Sequence, residues 1–78
     1  MIKKGTLIRE VKTNPDPIFE NTTANRTLVW MVTRVNPKTY SVKCVEGYWK
    51  GHGCNIHKNF KPEYTDVYGT TTRYEVIA

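Results

Sequence analysis

An all-β fold is what this sequence predicts, and three observations predict it. Val, Ile and Thr supply 24 of the 78 residues and the aromatics nine more, whereas Leu and Ala together supply four. β-Branched and aromatic side chains suit a pleated, half-buried surface, and the strongest helix formers are nearly missing. No window of useful length repeats apolar residues at i, i+3, i+4 and i+7, while several alternate with a period of two.

The elements follow in chain order. A first strand is predicted over Lys4 to Lys12, with Leu7, Arg9 and Val11 on one face and Thr6, Ile8 and Glu10 on the other. Asn14-Pro15-Asp16-Pro17 ends it, because neither proline can donate to a ladder and each restricts the residue before it. Residues 13–27 read as a long loop that Ile18 and Phe19 are expected to pin to the barrel. Loops of this length in compact domains are often functional. Leu28 to Val35 sets Leu28, Trp30 and Val32 against Val29, Met31, Thr33 and Val35, apolar enough on both faces for a strand buried on both sides. Asn36-Pro37-Lys38-Thr39 carries Asn and Pro at the first two positions of a four-residue turn. The return strand, Tyr40 to Glu46, puts Tyr40, Val42 and Cys44 inward and Ser41 and Lys43 outward.

The next stretch, Gly47-Tyr48-Trp49-Lys50-Gly51-His52-Gly53-Cys54-Asn55, sets two large aromatics among three glycines. Ile56 to Phe60 reads as a short turn of 3₁₀ helix, closed by Pro62. Tyr64 to Tyr68 and Thr72 to Ile77 read as two final strands around Gly69, or as one bent strand. Five or six short strands, a long first loop and a tight central hairpin predict one small SH3-like barrel over residues 1–78. An OB-like barrel is the second architecture that fits. Neither fixes a function.

A chain this short buries only about 60% of its unfolded surface, and a deep pocket for a large cofactor would consume its core. A surface or shallow-groove function, without a cofactor, is therefore expected. The formal charge is +5. Residues 34–62 carry Arg34, Lys38, Lys43, Lys50, Lys58 and Lys61 against Glu46 alone, while residues 63–78 are net acidic. Such a segment attracts phosphates or an acidic protein face, or serves only as a solvated surface. No stretch is long and apolar enough to span a membrane, and Met-Ile-Lys-Lys-Gly has no apolar run behind its charges, as a signal peptide would. Without such a signal, the glycosylation-like Asn21-Thr22-Thr23 and Asn25-Arg26-Thr27 carry little weight. Two cysteines are too few for a disulfide framework, so a cytoplasmic location is expected; in an oxidising compartment Cys44 and Cys54 can pair.

Three constellations bear on chemistry. Cys44, His52, Cys54 and His57 supply zinc-type ligands, but only Cys54 and His57 have the spacing of a structural site, and Cys44 points to the core. They are weak metal candidates, and no metal is expected. The single serine, Ser41, has no glycine-flanked elbow, and no third group orients a histidine beside Cys54. No catalytic residue is assigned, and the chain reads as a non-enzyme. The third constellation is Tyr48, Trp49, Lys50, His52, Lys58 and Lys61, which matches the stacking rings and phosphate-neutralising lysines of single-stranded nucleic-acid binders. The same residues describe a protein-docking hot spot, or aromatics that cap a barrel end. The expected function is a binding module that leans towards single-stranded DNA or RNA. The alternative is a protein-interaction or inhibitor module, of the phage or mobile-element accessory type, docking on an acidic partner protein.

Overall fold

The period-two patterning of the chain resolves into six strands in a computed structural model that describes residues 2–78. The strands are β1 (Leu7–Thr13), β2 (Arg26–Val35), β3 (Thr39–Glu46), β4 (Gly53–His57), β5 (Glu63–Thr65) and β6 (Thr71–Val76), with one 3₁₀ turn at Pro17–Phe19. They form one antiparallel sheet in the order β4-β3-β2-β1-β6-β5. The sheet curls into a half-barrel, consistent with a small SH3-like or OB-like barrel. Its two edges, β4 and β5, are left to face each other across an open side.

The curl has a local cause. The β2–β3 register shifts between Val29 and Trp30 and again between Val32 and Arg34. Such bulges bend a strand and sharpen its right-handed twist. At the second bulge the Thr33 hydroxyl donates to the Ser41 carbonyl at 3.2 Å. The concave face then closes over Ile8, Leu28, Trp30, Val32, Val42 and Cys44, with Tyr40, Ile56 and Tyr74 packed against them. The hairpin expected at the centre of the sheet is there, and Trp30, Val32, Val42 and Cys44 are buried as its alternation requires.

Other expectations need correction. The 3₁₀ turn expected at Ile56 to Phe60 is the end of strand β4 and a following turn, because Tyr40 and Val42 offer Ile56 and Cys54 a ladder. The 3₁₀ turn lies instead at Pro17–Phe19, where Pro17 starts the turn and the Asp16 carboxylate accepts from the Ile18 N–H at 3.1 Å. Of the pair expected to pin the first loop, Ile18 is 75% exposed and does not, while Phe19 is half-buried. Asn14 does that work: buried, it donates through Nδ2 to the Tyr68 carbonyl and the Thr70 hydroxyl, both at 3.0 Å. Strand β2 is not buried on both sides, since Val35 is exposed and Met31 and Thr33 are only half-covered.

Candidate functional site

Strand β4 divides the residues expected to form one binding surface. Tyr48, Trp49, Lys50 and His52 lie in the turn that precedes it, and Lys58 and Lys61 follow it. Five strand residues at about 3.3 Å each set the two groups roughly 16 Å apart. They form two clusters on one edge of the sheet.

In the first cluster Trp49 is less available than its place in a glycine-rich turn suggests. The Arg26 guanidinium stands over its ring, 3.8 Å from the centroid, and His52 lies tilted beside it at 6.5 Å. One face of the indole is thus already occupied by a cation–π contact. Arg26 lies at the start of β2, and its Nε and Nη1 are buried without a hydrogen-bond partner among the described residues. Tyr48, 82% exposed, is the free ring at this end.

The second cluster is richer than the sequence reading. Asn55, Ile56 and His57 of β4, Phe60 and Lys61 of the connection, Tyr64 and Thr65 of β5 and Tyr74 of β6 line an open groove of about 500 Å³. Phe60 and Tyr74 meet edge to face at 5.3 Å, and the Lys58 ammonium stands 5.5 Å from the Tyr40 ring centre. Phe60, Tyr64 and Tyr74 were not among the expected site residues. The usable signal was the aromatic spacing around Lys61, but no local pattern shows that β6 carries Tyr74 back to face β4.

Burial, then the nearby Glu10 charge and the Tyr64 phenol, push the Tyr74 hydroxyl well above its ordinary range. Burial, Glu10 and Cys44 also raise the Cys54 thiol. Among the described residues no lysine forms an ion pair; the two ion pairs join Arg9 to Glu75 and Arg73 to Glu63.

The cysteine–histidine set does not converge. Cys54 pairs with core-facing Val42 and Cys44 lies on that same face, but His57 pairs with Thr39 on the alternate face. His57 Nδ1 already accepts the Asn59 N–H at 3.1 Å, and the Cys44 thiol reaches the Glu46 carbonyl at 3.3 Å. Among the described residues no three His, Cys, Asp or Glu side chains are grouped to hold a metal, and both cysteines are free thiols. Among the described residues no helix is long and apolar enough to cross a membrane. Set against family models, curated proteins and solved structures, the chain matches none.

Proposed function

We propose that this protein is a non-enzymatic binding module that takes single-stranded nucleic acid along the open side of the half-barrel. The observation that carries the reading is the groove between β4 and the β5–β6 pair, where the rings of Phe60, Tyr64 and Tyr74 share one surface with His57 and Lys61. Bases stack on such rings, and lysines neutralise the phosphates between them. From the groove, the free edge of β4 leads to Lys50 and the exposed ring of Tyr48, a second platform within the span of a few nucleotides. Trp49 takes a smaller part than Tyr64, because Arg26 covers one of its faces.

Titration of labelled single-stranded DNA and RNA at two salt concentrations tests this. Lys58→Ala or Lys61→Ala should weaken binding to every sequence and flatten the salt slope by about 0.7 per contact. Tyr64→Ala should cost roughly 1–3 kcal/mol with the slope nearly unchanged. Absence of wild-type binding at near-physiological salt would end the nucleic-acid reading.

A second reading has one observation of its own. The outer edge of β4 is unpaired and flanked by Lys50, Lys58 and Lys61, which suits an acidic partner protein that adds a strand there. In that case a partner binds, and single-stranded oligonucleotides do not compete for it.

A further inference from the structure

The face of the sheet that carries Ile8 and Leu28 ends in two cations. Lys12 of β1 and Arg26 of β2 stand opposite each other in register on it. Like charges directly opposite across a sheet are destabilising. Among the described residues neither is in an ion pair, not even with Glu10, the next residue of β1 on that face. The Nε and Nη1 atoms of Arg26 are also buried with no hydrogen-bond partner among the described residues. The Trp49 ring, its centroid 3.8 Å from the guanidinium carbon, covers one flat face of that group. The donor hydrogens lie in the guanidinium plane, so stacking fixes their direction and leaves them unmet. A buried donor without an acceptor is costly, and each one in a folded protein calls for an explanation.

Arg26 lines a hollow of about 580 Å³ with Asn21, Thr22, Thr23 and Asn25 of the first loop and Tyr48 of the β3–β4 turn. That is a size at which small ligands are held. No carboxylate lines it; Glu20 belongs to the neighbouring hollow around Asn14 to Pro17. Thr22 Oγ1 and Asn25 Nδ2 both donate to the Phe19 carbonyl, at 2.6 and 3.0 Å, and so set the shape of the loop. The Thr23 hydroxyl and the Asn21 side-chain amide are in no such bond among the described residues and remain as donors on the wall. The wall therefore calls for an anion rich in acceptors. A carboxylate brings two oxygens, which one edge of a guanidinium uses up. A phosphate brings further oxygens for Thr23 and Asn21. The exposed Tyr48 ring beside them offers a stacking surface to a base attached to that phosphate.

We infer that this hollow is a nucleotide-phosphate site, in which the Arg26 guanidinium donates to the phosphate, Thr23 and Asn21 add hydrogen bonds, and Tyr48 stacks the attached base. It goes beyond the groove reading and stands or falls separately, since a mononucleotide suffices to fill it. Backbone amide and arginine Nε–H spectra recorded with thymidine 5′-monophosphate, with thymidine and with inorganic phosphate test it. The monophosphate should shift Asn21 to Arg26, Tyr48 and the Arg26 Nε–H saturably, and thymidine at the same concentrations should not. Inorganic phosphate should shift Asn21 to Arg26 but bind about fivefold or more weaker, for want of a stacked base. Arg26→Lys keeps the charge without the fork and should weaken the monophosphate about tenfold, and Thr23→Val should weaken it about threefold. Hexathymidylate with and without a 5′-phosphate identifies the source of the phosphate. Shifts at Arg26 with both assign a backbone phosphate, with the phosphorylated strand alone a strand end, and with neither a free nucleotide. No shift at Asn21 to Arg26 with the monophosphate overturns the inference, as do equal shifts with thymidine or unchanged binding by Arg26→Lys. Should the lysine variant fail to fold, Thr23→Val, which alters an exposed side chain, decides alone, and unchanged affinity overturns the site. Hexathymidylate shifts at Asn55 to Lys61 in a protein that ignores the monophosphate would leave the groove reading standing without this one.

Discussion

Trp30 fills the centre of the concave face, 4% exposed, with its Nε1–H buried and unpaired among the described residues. Two opposing terms follow. Trp30→Ala loses the ring and leaves a cavity, at about 3–5 kcal/mol, most of what a domain this small has. Trp30→Phe loses less volume and removes a donor whose burial costs about 1–3 kcal/mol, so chemical denaturation should find it well above the alanine variant. Gly47 is constrained for another reason. Its φ is +116°, and a Cβ there would stand 2.6 Å from Leu28 Cδ2 and 2.7 Å from the Thr27 carbonyl. Gly47→Ala should cost about 1–3 kcal/mol, read as a lowered melting temperature. Tyr74 and Cys54 each bear on stability at alkaline pH. Both hold their protons more tightly in the fold than in the unfolded chain, which ionises near their ordinary values of 10.0 and 9.0. Their contribution is therefore intact below that range and is lost as pH rises above it. A thermal scan from about pH 8 to 11 should fall less steeply for Tyr74→Phe, which has no proton to lose.

At the scale of the element, what was legible was what local chemistry decides. The β2–β3 hairpin announced itself through strict alternation around Trp30 and Val42 and through Asn36-Pro37 at the turn. Asn36 in fact donates from its N–H to the Thr39 carbonyl at 2.9 Å and from Nδ2 to Ser41 Oγ at 2.9 Å, so the turn holds both strand ends. Strand β4 was not legible, because Gly53 and Asn55 are poor strand residues and only pairing with β3 makes a strand of them. The first loop is legible from Asn14-Pro15-Asp16-Pro17, but its polar anchor, the amide of Asn14, is marked by no apolar pattern. Four hydrogen bonds meet on that residue, joining it to Asn25, Asp16, Tyr68 and Thr70. Asn14→Ala keeps its backbone bond to Asn25 and should cost roughly 2–3 kcal/mol. Amide exchange should quicken at Asp16 and in the β5–β6 turn, and at neither if the loop is held by other contacts.

For the molecule as a whole, the sequence showed an all-β chain with its charge surplus in the middle, and the half-barrel keeps both features. It did not show that residues 58–65 and 74 face β4, because the distance between them closes only through sheet curl and strand order. Glu10 illustrates the same limit: alternation places it with Ile8, but only the completed sheet makes that face the concave one. On the proposed function, single-stranded nucleic acid lies in the groove between β4 and the β5–β6 pair. Backbone amide spectra recorded while a short single-stranded oligonucleotide is added at near-physiological salt locate it directly. The resonances of Asn55 to Lys61, Tyr64, Thr65 and Tyr74 should move together and saturate, with smaller shifts reaching Tyr48 and Lys50. Saturable shifts confined to the exposed Val67–Tyr68 turn, or no shifts at all, would contradict the account.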